Sequence, residues 1–163
     1  MKKLMVASLV GLSCLVANVF AAGTGVIDMQ AVFHGAPQVK QMNEDLQKQF
    51  APRKEKLQVL NTKLQKEMAD FNKNASVLSA DKKAKLQANI TTQSKALRQQ
   101  QMQFQQDLFV AQNKATSEFM KKVQAVVASV AKAKQLTLVI PKNGVLYSAD
   151  NMDITSMVLK KFK

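Results

Sequence analysis

The sequence predicts an α+β chain, mainly α, in which a long α-helical coiled-coil hairpin projects from a small β body formed by oligomerisation. Three observations predict it. From Gln38 to Lys134 there is no glycine and Pro52 is the only proline, so the usual breakers of secondary structure are missing. Within that span apolar residues recur at steps of three and four, the period of a helical seam. Short β-branched runs flank the span on both sides, too few to make a well-covered sheet from one subunit.

Residues 1–21 read as a cleavable export signal of bacterial type. Lys2 and Lys3 give a charged start, and Leu4 to Val16 an apolar run shorter than the roughly 20 residues a bilayer span needs. Val19 and Ala21 are the small side chains expected before a cut. The expected mature chain starts at Ala22, with Gly23 the alternative, and its expected compartment is the periplasm. Cys14, the only cysteine, lies in the apolar run with Gly11 where lipid attachment would need leucine. It is expected to leave with the signal, which excludes disulfides, thiolate metal sites and cysteine nucleophiles from the mature chain. Losing Lys2 and Lys3 lowers the formal charge from +13 to +11. So basic a chain seeks acidic partners, and export makes nucleic acid the one not expected.

Residues 22–37 are expected to belong to the body. Gly25 to Phe33 reads as a strand because Val26, Ile27, Val32 and Phe33 are β-branched or aromatic, and Gly35 and Pro37 close it. Residues 38–134 form the arm. Gln, Lys, Ala, Leu and Met dominate there and favour helix. Leu57, Leu60, Leu64, Met68, Phe71, Ala75 and Leu78 advance with a mean spacing of 3.5, a coiled-coil seam. A second series runs through Leu86, Ile90, Leu97, Phe104, Leu108, Ala111, Ala115, Phe119, Val123, Val126 and Val130. Between the two lies the tip, residues 79–82, where Ser79 can cap the returning helix and Asp81 suits its positive end. Pro52 is expected to kink the ascending helix near its root.

Residues 135–163 return to the body. Leu136 to Ile140 is a β-rich run, and Pro141-Lys142-Asn143-Gly144 predicts a hairpin turn leading to a return strand from Val145 to Tyr147. Asp153 is then placed to cap a helix from Ile154 to Phe162, with Lys160, Lys161 and Lys163 at its negative end. Three short strands leave sheet edges unpaired. Symmetric association through Val26, Ile27, Leu136, Leu138, Ile140 and Val145 would pair them and enlarge the core, so an obligate homo-oligomer is expected.

No enzyme chemistry is expected. The chain has neither a GxxxxGK loop nor GxGxxG, the backbone cradles that hold phosphates. His34, the sole histidine, has no carboxylate partner at ligand spacing. Asp150 and Asp153 are explained as turn and cap residues. Two glycosylation-type triplets, at Asn74 and Asn89, fall in the helical arms of a bacterial-type product and read as chance. No catalytic residue, cofactor or metal is therefore assigned.

The informative surface is the arm. Residues 38–134 hold 18 lysines and arginines against 8 acids, a net of +10, whereas a merely solvated coiled coil alternates signs to gain i, i+4 pairs. Lys63, Lys66, Lys73, Lys82, Lys83 and Lys85 cluster towards the tip and are the candidate binding residues. A glutamine-rich stretch from Gln87 to Gln106 carries Met102 and Phe104, offering hydrogen bonds and scattered apolar contacts.

With this layout the mature chain resembles the Skp/OmpH family of periplasmic chaperones. The resemblance is carried by Leu136-Thr-Leu-Val-Ile140, Val145-Leu-Tyr147, Asp153-Ile154-Thr155 with Val158-Leu159-Lys160, and the opening Gly25-Val-Ile-Asp-Met29. It implies a homotrimer shaped like a jellyfish, whose three hairpins enclose a cavity. It also implies a holdase that works without ATP, binding unfolded outer-membrane proteins until they reach the insertion machinery. The alternatives are a binder of lipopolysaccharide, another anionic envelope polymer or an anionic membrane surface, and a structural coiled coil of the envelope.

Overall fold

A computed structural model describes residues 23–162. The expected export signal, with Cys14, lies outside the described residues, as does Lys163. The order is β1 (Gly23–Ile27), α1 (Met29–Gly35), α2 (Pro37–Asn74), α3 (Ala80–Ala133), β2 (Leu136–Pro141), two single 3₁₀ turns (Lys142–Gly144 and Asp150–Met152) and α4 (Thr155–Lys160). No described helix is long and apolar enough to cross a membrane.

The strand expected over Gly25–Phe33 stops at Ile27 and gives way to α1. Asp28 makes the switch. Its backbone is extended and its carboxylate accepts the N–H of Ala31 at 2.9 Å, which satisfies a free donor of the first turn. Val32 and Ala36 then fall four apart on one face, both buried. The β-branched residues of this stretch thus serve a helix, because burial outweighs propensity.

α2 starts on Pro37, where a missing N–H costs nothing, and α3 starts after Ser79. Ser79 has the extended backbone of an N-cap, but its side chain makes no capping bond; its carbonyl accepts from Lys83 N–H at 2.9 Å. Asp81 lies in the first turn as expected. The helix continues through Pro52 from Pro37 to Asn74. At about 1.5 Å per residue the 38 residues of α2 extend about 57 Å. Leu64 and Leu97 are buried between the helices, while Met68 and Leu86, nearer the tip, remain 44% and 42% exposed. Coverage of the seam thins towards the tip.

α3 ends by passing through Gln135, whose φ of 56° is left-handed and turns the chain sharply out of the helix. β2 then runs parallel to β1, with Thr24 opposite Leu138, Gly25 opposite Val139 and Val26 opposite Ile140. A parallel pair needs a crossover, and here the crossover is the whole arm. A Cβ at Gly25 would come within 2.8 Å of Leu136 Cδ1, so the Leu136 side chain would have to move aside.

The expected C-terminal β-hairpin does not form. Val145 to Tyr147 is no strand, and β1 and β2 make a two-stranded sheet. The Asn-Gly hairpin turn needs positive φ at both central residues, yet neither Asn143 nor Gly144 adopts it. The chain instead closes a 3₁₀ turn, with Val145 N–H donating to Lys142 O at 3.1 Å. Leu146 and Tyr147 project into solvent. A third segment does reach the sheet: Asp153 bridges Val26, and Ile154 N–H donates to Val26 O at 2.9 Å. The terminal helix is shorter than expected, beginning at Thr155, and Asp153 acts one residue early by accepting Thr155 N–H at 2.8 Å.

The core lies where α1, the root of α3 and α4 converge on β1. Val32, Val123 and Val158 are fully buried there. Phe119 packs edge-on against Phe33 at 5.0 Å and tilted against Phe162 at 5.8 Å. A buried ring of this size contributes a large share of apolar burial to so small a core.

Candidate binding surface

The six candidate lysines are all exposed. Lys63, Lys66 and Lys73 lie on the last turns of α2, and Lys82, Lys83 and Lys85 on the first turns of α3, so the hairpin brings both sets to its outer end. Lys63 lies 3.8 Å from Glu67 in an exposed i, i+4 pair, worth little in water. Among the described residues the other five form no ion pair, so their charge is available to an acidic partner. Between the helices at this end lies a cleft of about 600 Å³ lined by Phe71, Val77, Leu78, Leu86 and Ile90, with Glu67, Asp70, Asn74 and Asn89 at its polar side. Its wall is tied across the arm by Gln93, which donates to Glu67 at 2.7 Å.

Lower on the arm, beside Pro52, a compact cross-helix clamp forms that the sequence reading does not anticipate. Phe50 and Phe104 meet edge-on at 5.8 Å. Arg53 sits 5.8 Å from the centroid of each ring, within reach of their π faces, and its guanidinium meets Asp107 at 2.8 Å. Gln103 donates to the same carboxylate at 2.8 Å. The hydrogen bond from Arg53, then that from Gln103, holds the Asp107 carboxyl below the ordinary carboxylate range. A signal was present: Phe50-x-x-Arg53 on one helix and Phe104-x-x-Asp107 on the other carry the same spacing with opposite charges.

The six body residues divide. Val26 and Ile27 are 2% and 3% exposed and belong to the subunit's own core. Leu136, Ile140 and Val145 are half-buried. Leu138 is 53% exposed and joins Leu146 and Tyr147 as uncovered apolar surface. Asp150 is exposed in its 3₁₀ turn. Asp153 is held below the ordinary range, first by hydrogen bonding from the Thr155 side chain, then from its backbone, with Lys142 contributing. His34 is exposed in the last turn of α1.

Three likenesses to known proteins bear on this surface. The profile of the family "Outer membrane protein (OmpH-like)" matches residues 23–162. Two curated relatives named Chaperone protein Skp, from Yersinia enterocolitica and Escherichia coli strain K12, are 28% and 29% identical over the whole of both chains. Among solved structures, an OmpH-like protein from Caulobacter crescentus CB15 superposes with a TM-score of 0.76 at 16% identity, covering 86% of this chain and 83% of that one. At that identity the likeness concerns the fold.

Proposed function

We propose that this chain, which belongs to the OmpH-like outer membrane protein family, is a holdase chaperone of the periplasm that binds unfolded outer-membrane proteins between its arms and prevents their aggregation without ATP. The observation that carries the reading is the arm's net charge of +10 over residues 38–134, with five of the six tip lysines outside any ion pair among the described residues. Such arms attract an acidic unfolded chain from a distance, and many weak contacts then hold it in competition with aggregation by mass action. The relatives' name, Chaperone protein Skp, agrees with this use. No chemical step is assigned to the protein.

The reading includes a homotrimer. Support comes from the exposed Leu138, Leu146 and Tyr147 and from a sheet of only two strands, both of which favour association. Export by residues 1–21 belongs to the same proposal. A second reading, capture of lipopolysaccharide or another anionic envelope polymer, is favoured by the same free lysines.

The test is to dilute a urea-denatured outer-membrane barrel protein with and without the mature chain, at low and high salt. Suppressed aggregation at low salt is expected. Lys82→Glu, Lys83→Glu and Lys85→Glu together should weaken capture, since surface attraction is screened and sign-dependent. Aggregation that proceeds unchanged at low salt would overturn the chaperone reading. Loss of lipopolysaccharide binding alone in the triple variant would favour the second.

A further inference from the structure

The first residues after the expected cut are already committed to the body. Gly23 and Thr24 follow Ala22 directly and lie in β1 opposite Leu136 and Leu138. The Thr137 hydroxyl donates to Gly23 O at 3.3 Å. A Cβ added at Gly23 would come within 3.1 Å of Leu136 Cδ2 and 3.3 Å of Gln135 O, so the strand starts in close contact with the turn that leaves α3. Three residues on, β1 is held from both sides, by β2 and by the Ile154 N–H that donates to Val26 O at 2.9 Å. Val26 and Ile27 are 2% and 3% exposed.

An endopeptidase takes the residues flanking its target bond as an extended segment in its own cleft, and backbone that is buried and hydrogen-bonded elsewhere is withheld from it. The bond between Ala21 and Ala22, like the alternative bond before Gly23, stands within two residues of the sheet. The partner strand, however, comes late. Thr137 lies 114 positions beyond Gly23, because the whole arm intervenes. At the pace of chain synthesis, about 5–20 residues per second, that separation amounts to roughly 6–23 s. During it β1 has no β2 to join, and the segment after the cut is open to a peptidase.

We propose that the export signal can be cut only until β1 pairs with β2, so that closing the body sheet ends the period of processing. This rests on the export reading of residues 1–21 and adds an order of events to it. The cut is a hydrolysis: water adds across the Ala21–Ala22 amide, leaving a carboxylate on Ala21 and an amine on Ala22. Before β2 arrives, the strand is available to a signal peptidase. Afterwards cutting must wait for the sheet to open locally, and its rate falls with the fraction of molecules that are open. A chain that closes its body first keeps its signal. The long crossover thus holds apart in time two strands that are neighbours in space.

The experiment uses the full chain, residues 1–163, in detergent, with a purified bacterial signal peptidase. The peptidase is added either at the moment of dilution from urea or after folding is complete, and the cut product is followed by mass. Prompt cutting is expected in the first case, and cutting slower by roughly tenfold or more in the second. A second precursor carries a flexible spacer of about ten glycines and serines between Ala22 and Gly23. With helical content and native mass unchanged, it should be cut equally fast before and after folding. Equal rates for the natural precursor before and after folding would overturn the inference. So would protection of the folded spacer precursor, which would place the obstruction outside the sheet. Failure to cut the unfolded precursor would instead overturn the export reading beneath it.

Discussion

Arg53 and Asp107 meet at 2.8 Å across the arm, one residue beyond the proline that α2 carries through without breaking. The pair closes on two phenylalanine rings rather than standing alone in solvent. It fixes the two helices to each other at the level where the missing N–H of Pro52 weakens one of them.

Arg53→Ala should therefore raise amide exchange in α2 around residues 48–56 more than at the tip, with a small change in global melting. Arg53→Lys should restore only part of the protection, because a lysine lacks the planar, multi-donor head. Equal exchange in all three proteins would remove the clamp's role.

Acid should loosen two places together. Asp107 and Asp153 both have pKa values lowered from 3.8 by their folded surroundings. Their contribution is present above that value and lost as the pH falls through the lower, folded value. The acid limb of a melting-temperature profile, below about pH 4, should flatten in Asp107→Asn and in Asp153→Asn, most in the double variant.

Thr155 is 8% exposed, and its hydroxyl accepts the backbone N–H of Asp28 at 2.8 Å, 127 residues away in sequence. Thr155→Val keeps the shape and strands that donor. A loss of about 1–3 kcal/mol in urea unfolding is expected, and no loss would mean that water replaces the hydroxyl.

Two phenylalanines ten positions apart on α3 should behave oppositely. Phe119→Ala, at 3% exposure between two other rings, should cost about 3–5 kcal/mol. Phe109→Ala, at 64% exposure, should change stability by less than about 0.5 kcal/mol. Comparable losses would contradict the division between body core and free arm face.

Leu146→Ser with Tyr147→Ser should lower the native mass, or make it depend on concentration, without unfolding the arm. Both side chains are exposed beside the half-buried Val145, and under the proposed association they are apolar surface that a neighbouring subunit would cover. Unchanged native mass would move the contact elsewhere.

The arm was legible in the sequence because one period runs through it. Leu57, Leu64, Leu97 and Phe104 mark a seam by spacing alone, and no glycine interrupts it. The ends were less legible because their structure depends on distant residues. Val32 and Phe33 look like strand until Asp28 caps a helix and Phe119, 86 residues later than Phe33, supplies the packing partner. Asn143-Gly144 looks like a hairpin, but β2 finds its partner in β1. The clamp escaped for the same reason, since it pairs Arg53 with Asp107 through the register of two helices. The gathering of the six lysines towards the outer end of the arm followed from the helical hairpin alone.

The parallel pairing of β1 with β2 leaves the entire arm between two adjoining strands. The reach of the hairpin is therefore decoupled from the architecture beneath it. Inserting one heptad into α2 and one into α3 would preserve the seam phase and lengthen the arm by about 10 Å, with the strands, α1 and α4 undisturbed. Matched insertions and deletions offer a ruler by which the reach of the arm can be set independently of the body that holds it.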